Sequence, residues 1–259
     1  ENSEPVKTNT SDFRFLDQSL ISLMDQIHDA FEKEREFTAN ASHELMTPIG
    51  ILQNKIENLM GEPEVSELVQ DRLIGMQRTL NRLKRIVHSL LLISRIDNDQ
   101  FSKKDTVSAT ELFGDVLDEI SHRLSEKQIS LSMNLSKHTV FQNINRDLLF
   151  QMIYNLLNNA IRYNKPDGKI NISDRILEGK VYEIDIEDTG IGIAQDEVST
   201  IFNRFKKANN SEDEAGYGLG LSIVKSISDY HKISIRTESE LTKGTRFTLT
   251  FPSELLKGI

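Results

Sequence analysis

"FTANASHELMTPIG", residues 37–50, sets a histidine and a glutamate inside a run whose apolar residues keep helical spacing. Upstream, Phe13, Leu16, Leu20, Leu23, Ile27 and Ala30 recur at steps of three and four, a heptad seam that passes through Glu34 to Phe37 and Ala41. A second seam runs Leu45, Ile49, Leu52, Ile56 and Leu59. The two successive steps of four from Phe37 to Leu45 interrupt the alternation, which locally unwinds a coiled coil. Pro48 removes a backbone donor, so a bend is expected there. "MGEPEV", residues 60–65, reads as a turn, and Leu73, Met76, Leu80, Leu83, Val87 and Leu90 mark a second long helix. Two amphipathic helices and a short loop predict a helical hairpin, and one hairpin has too little core to stand alone. The expectation is a homodimer in which two hairpins form a four-helix bundle. The pattern also admits a hairpin folded onto its own C-terminal part.

The chain around this stretch has 259 residues, a length for one large domain or two smaller ones. It contains no cysteine, which removes disulfides and thiolate metal sites and fits a reducing compartment. Its net charge of −9 repels phosphate backbones, so no nucleic-acid partner is expected. No apolar run approaches the roughly 18 residues of a membrane span, and no secretory signal opens the chain. The first residue is Glu1 rather than Met, as in a piece of a longer protein.

Residues 1–12 are polar, and 98–104, "NDQFSKK", read as a linker. Beyond it the periodicity changes. A helix is expected over 109–126, strands in "ISLSMNLS" (129–136) and "TVFQNIN" (139–145), and a helix over 146–163. A β-hairpin around Glu178-Gly179 follows, then a helix over 219–230 and strands over 232–238 and 245–251. Helices with mostly antiparallel strands predict an α+β two-layer sandwich for residues 105–259.

His43 does not belong to a zincin site, because the fifth position of His-Glu-x-x-His is Thr47 here. The seam residues are Ala41 and Leu45, which turns His43 off the apolar face. Glu44 is adjacent and Thr47 is one helical turn on. A neutral imidazole is a competent nucleophile near pH 7, and a neighbouring carboxylate can take its other ring proton. An ordinary surface histidine also satisfies the spacing.

In the 146–163 helix, which carries "NLLNNAIRY" (155–163), Leu149, Ile153, Leu156 and Ala160 make the buried arc, with Asn155, Asn159 and Arg162 on a stripe beside it. Asparagine is a poor interior helix residue. Its carboxamide oxygen suits Mg²⁺ that is also held by substrate phosphates, and Arg162 is a phosphate partner. A hydrated polar edge is the alternative. In "DTGIGI" (188–193), Asp188 stands at a strand end and can accept from an exocyclic amine, while Gly190 and Gly192 permit close backbone approach. An ordinary Asp-Thr-Gly turn has the same letters. In "GYGLGL" (216–221), Gly216, Gly218 and Gly220 open a helix, an anion site made of backbone N–H groups. The spacing is not that of a Rossmann fingerprint, and Walker A and protein-kinase signatures are absent. The polar stretch 194–217 reads as a lid.

Taken in order, "SHELMTP" (42–48), "NLLNNAIRY", "DTGIGI", "IFNRFKK" (201–207) and "GYGLGL" resemble the histidine, asparagine, first glycine, phenylalanine and second glycine boxes of bacterial sensor histidine kinases. The likeness covers about residues 32–252. It implies a tail and signalling helix over 1–31, a dimerisation and phosphotransfer hairpin over 32–97, a linker over 98–104, and an ATP-binding domain of the gyrase, Hsp90, histidine kinase and MutL superfamily over 105–259. It further implies the cytoplasmic portion of an inner-membrane sensor, tied to the membrane only through an upstream segment. ATP and Mg²⁺ would be bound, and a response-regulator receiver domain would be the partner. His43 would be the phosphoacceptor and Glu44 the base, while Thr47 resembles the residue of kinases that also dephosphorylate their regulator. Asn159, helped by Asn155, would hold Mg²⁺; Arg162 and Lys207 would touch phosphates; Tyr163 would pack on the nucleotide; Asp188 would read adenine. Gly190, Gly192, Gly216, Gly218, Leu219 and Gly220 would shape the pocket and lid. Met46 stands where the family usually has Arg or Lys, and Lys206-Lys207 replaces a commoner Tyr-Arg pair. An ATP-binding signalling scaffold with degenerate kinase activity is the alternative that Met46 keeps open.

Overall fold

The computed structural model describes residues 11–62, 66–136, 138–177, 181–206 and 217–257, with the side chains of 11–15, 17–18 and 27–43 outside the description. The chain divides into two compact units, residues 1–87 and 88–259.

In the first unit, α1 (Ser11–Met60) runs helical through Pro48, and α2 (Glu67–Asp97) begins there and continues into the second unit. The seams separate into two columns. Ile49, Leu73 and Leu80 are buried, whereas Leu45, Leu52, Leu59, Met76 and Leu83 are exposed. Lys84 Nζ donates to Gln53 Oε1 at 3.3 Å, linking the two helices. The tail ahead of Ser11 and residues 63–65 of the expected turn lie outside the described residues.

The second unit is an α-layer on a sheet. Its elements are β1 (Asp105–Ser108), α3 (Ala109–Glu126), β2 (Ser130–Asn134), β3 (Val140–Ile144), α4 (Arg146–Arg162), β4 (Lys169–Leu177), β5 (Val181–Asp188), α5 (Gln195–Val198), α6 (Gly220–His231), β6 (Ser234–Glu240) and β7 (Gly244–Phe251), closed by a 3₁₀ turn at Ser253–Leu255. The five-stranded sheet has the order β2-β4-β5-β7-β6, parallel between β2 and β4 and antiparallel elsewhere. A separate antiparallel pair joins β1 to β3. The sequence shows no strand at 105–108, because four residues are too short for a period of two to register. The tip of the β4–β5 hairpin at Glu178-Gly179 lies outside the described residues, but Leu177 pairs with Val181 across it.

Strand alternation builds the core. Ile170 and Ile172 of β4, Tyr182, Ile184 and Ile186 of β5, and Phe247, Leu249 and Phe251 of β7 are buried in one cluster with α3, α4 and α6. The opposite face is polar: Arg175 bridges Glu183 and Asp185 at 2.5 Å each, and Arg246 meets Glu187 at 3.0 Å. Ser108 and Asn145 cap α3 and α4 by accepting the N–H groups of Glu111 and Leu148. The end of α2 belongs to this core too, since Ile93 and Ile96 are buried in it.

Candidate active site

The C-terminal half of α4, the end of β5 and the start of α6 come together at one end of the sheet. α4 presents Asn155 and Ala160 buried, with Asn159 and Arg162 half-buried. The Asn155 carboxamide nitrogen donates to Gln151 O at 2.9 Å, which leaves its oxygen free to face the start of α6: a Cβ on Gly220 would sit 3.4 Å from it. Tyr163 caps α4, and the Arg162 guanidinium lies 5.3 Å from the centroid of its ring.

Asp188 ends β5 and is buried. Its Oδ1 accepts the N–H of Gly190 at 2.8 Å, and its carboxyl accepts the N–H of Thr245, its partner in the β5–β7 register. Burial pushes its pKa up to about 6, and these two N–H donors partly offset that. Gly190 packs so closely that a Cβ would strike the Tyr163 carbonyl, the same carbonyl that accepts Ile191 N–H at 3.0 Å. Asn164 completes this corner. Its side chain accepts from Lys165 N–H and Thr189 hydroxyl and donates to Lys169 O. The loop carrying Gly192 is fastened to the β6–β7 turn by Thr242 N–H to Ile191 O at 2.7 Å and to the end of β6 by Ile193 N–H to Ser239 Oγ at 2.8 Å.

The second glycine loop reaches α6 through Gly218, whose φ of 68° is left-handed and whose carbonyl accepts Phe205 N–H at 2.9 Å. Leu219 is buried and takes the N-cap position. Leu219 gives α6 no side-chain cap bond, and the unmet N–H groups that open a helix suit an anion.

The positions singled out in the sequence therefore fall into three groups. Asn155, Asn159, Arg162, Tyr163, Asp188, Gly190, Gly192, Gly218, Leu219 and Gly220 lie on the converging elements of the second unit. Lys207 and Gly216 lie outside the described residues, as does the stretch 207–216 of the expected lid. His43, Glu44 and Thr47 are on α1 in the first unit; Glu44 and Thr47 are exposed, and the His43 side chain is outside the description. Thr245 and Asn164 went unnoticed in the sequence because the contacts that place them are distant in it: Thr245 meets Asp188 across 57 positions and Asn164 meets Thr189 across 25. The one sequence signal for Thr245 is Gly244 just before it in a strand.

Residues 144–255 match the family of histidine kinase-, DNA gyrase B- and HSP90-like ATPases. Residues 33–99 match the His Kinase A phospho-acceptor domain. The chain belongs to the sensor histidine kinases. It is 32% identical over 233 residues to the sensor histidine kinase RppB of Synechocystis sp., covering 88% of this chain and 51% of that protein. It is 34% identical to the sensor protein SrrB of Staphylococcus aureus, covering 87% of this chain and 39% of that one. The chain thus spans about half, or less, of the curated relatives it matches. Among solved structures it is similar to the Acinetobacter baumannii histidine kinase AdeS, with a TM-score of 0.58, 26% identity and coverage of 82% and 98% of the two chains. Full-length ShkA in complex with AMPPNP shares the fold at a TM-score of 0.70 and 23% identity over 84% of this chain and 45% of that one. The histidine kinase chain thus carries its acceptor-type helix and its ATPase-type unit in separate bodies, and the second has the ATP-binding architecture of its family. Among the described residues no helix is long and apolar enough to cross a membrane.

Proposed function

We propose that this histidine kinase phosphorylates its own His43 from ATP and passes the phosphoryl group to an aspartate of a response-regulator receiver domain. The observation that carries the reading is the convergence of Asp188, Tyr163, Asn155 and the uncapped start of α6 at one end of the sheet. Each offers what a different part of ATP needs. Asp188, ionised above about pH 6, accepts from the adenine amine. Tyr163 packs on the nucleotide. Arg162, Lys207 and the N–H groups opening α6 neutralise phosphate charge. Gly216 and Gly218 let the lid close over it.

Asn159 and Asn155 would hold Mg²⁺. The donor set fits that ion, because the Asn155 oxygen is left as an acceptor and no group of three acidic or histidine side chains among the described residues forms an all-protein cage. When bound, the ion neutralises charge on the transferring phosphates. In the transfer, one imidazole nitrogen of His43 forms the P–N bond as the bond from the γ-phosphorus to the bridging oxygen breaks, releasing ADP. Glu44 takes the proton from the other ring nitrogen. Thr47, one turn from His43, positions a water in line with the regulator's aspartyl phosphate and supports its hydrolysis.

The test is incubation with γ-labelled ATP and Mg²⁺. Wild type should gain acid-labile, alkali-stable label, and His43→Gln should gain none while still binding nucleotide, since acceptor and pocket lie in separate units. Label of the same kind on His43→Gln overturns the assignment. In the same assay Thr47→Ala should keep most of its label yet dephosphorylate the regulator at least about tenfold more slowly; equal decay removes Thr47 from that role.

A further inference from the structure

Two basic residues of α3, one helical turn apart, reach α4 at different places. Arg123 lies against its side. Its guanidinium bonds the Asn158 carboxamide oxygen and the Tyr154 hydroxyl, and sits 5.4 Å from the centre of the Tyr154 ring. Lys127, the C-cap of α3, reaches instead to the end of α4. Its Nζ donates to the carbonyl of Arg162 at 2.7 Å and to that of Ile161 at 3.1 Å.

The last four carbonyls of a helix have no partner within it, and that end carries partial negative charge. In α4 the Tyr163 N–H covers Asn159 O at 3.0 Å, and the Asn164 N–H approaches Ile161 O at 3.4 Å. The Lys127 ammonium supplies charge-assisted bonds to the final two carbonyls and a cation to the negative end of the helix dipole. The turn held in this way is the one from which the Arg162 and Tyr163 side chains leave α4. It also feeds the Tyr163 carbonyl, which seats the Ile191 N–H and the close-packed Gly190 behind Asp188.

We propose that Lys127 is a positioning residue for nucleotide binding: by ending α4 from the neighbouring helix it sets Arg162, Tyr163 and the Asp188 loop at the spacing the nucleotide requires. The proposal rests on the ATP-binding reading given above. Lys127 acts through backbone carbonyls, so its loss moves the site without removing any group assigned to contact ATP.

The experiment is calorimetric titration of the whole chain with AMPPNP and Mg²⁺, alongside thermal denaturation and the ATP dependence of labelling. Lys127→Met should weaken binding about tenfold, the order expected for losing charge-assisted hydrogen bonds, and should raise the KM for ATP by a similar factor while leaving the saturating labelling rate nearly unchanged. Lys127→Arg, which keeps a cation and several donors, should recover most of the affinity. Arg123→Met loosens the same pair of helices away from the α4 end; it should lower the melting temperature but bind AMPPNP as wild type does. If Lys127→Met does not fold, Lys127→Gln, which retains a donor, takes its place. Wild-type affinity in the Lys127 variant overturns the proposal, and so does an equal loss in Arg123→Met. A wild-type chain that binds no AMPPNP overturns the ATP-binding reading and this proposal with it.

Discussion

Asp188 and His231 are buried titratable groups whose shifts oppose each other in their effect on stability. Asp188 is moved from 3.8 up to about 6 by burial, so the folded chain holds that proton where the unfolded chain has released it. Its contribution therefore favours folding below about pH 3.8 and is lost as pH rises through 6, a change of about 3 kcal/mol at 1.36 kcal/mol per pH unit. His231 is moved from 6.5 down to about 4 by burial, while it receives the Asn145 N–H on Nε2 at 3.0 Å and lies 3.0 Å through Nδ1 from Ile227 O. The first contact makes Nε2 the acceptor, so Nδ1 carries the hydrogen. Its contribution is complete above pH 6.5 and is lost as pH falls toward 4, again about 3 kcal/mol. His231→Gln should therefore be clearly less stable than wild type at pH 7, and the gap in melting temperature should narrow as pH is lowered toward 4.5. A gap that stays constant over that range would show that His231 does not titrate as its burial dictates. On the proposed function, protonating Asp188 also removes the adenine acceptor, so nucleotide affinity should fall below about pH 6.

At the scale of elements, the end of α2 and the stretch after it behave as part of the ATPase unit. Ile93 is fully buried and Ile96 is 2% exposed in its core. Asp97 pairs with Arg204 at 2.9 Å. Phe101 O accepts the Tyr230 hydroxyl, Lys103 Nζ donates to Tyr230 O at 2.6 Å while lying 3.7 Å from the centre of its ring, and Ser102 O accepts from Asn145. A fragment beginning at Asp105 therefore lacks two buried isoleucines, each worth about 1.5–3 kcal/mol, and leaves their pockets open to water. It should melt well below a fragment beginning at His88 in differential scanning calorimetry. Equal melting temperatures would place these residues outside the folded unit.

At the scale of the whole molecule, the hairpin exposes an apolar column among the described residues. Leu45, Leu52, Leu59, Met76 and Leu83 are exposed at 45–57%, while Ile49, Leu73 and Leu80 are buried. We propose that a second copy covers the exposed column in a four-helix bundle. Leu83→Asp places a charge in that contact without touching the buried column, and it should turn a dimer into a monomer by light scattering. A wild-type chain that is monomeric at micromolar concentration would end the proposal.

The sequence alone determined the five boxes and the type of every element except β1, α5 and the closing 3₁₀ turn, because helical and strand periodicities and short motifs are local while these three elements are too short to show a period. The α4 arc of Leu149, Ile153, Leu156 and Ala160, for instance, is buried where its spacing places it. Only the tertiary structure decided that Thr245 and Gly190 together hold the Asp188 carboxyl, that Lys127 ends a helix 34 and 35 residues away, and that Ile49, Leu73 and Leu80 of the two seams are buried while Leu45, Leu52, Leu59, Met76 and Leu83 are not. Periodicity marks which face of a helix is apolar, but not which neighbour arrives to cover it. Hydrogen bonds between residues distant in sequence leave no periodic trace. Burial, which sets the charge state of Asp188, exists only once the sheet and the helices have closed over it.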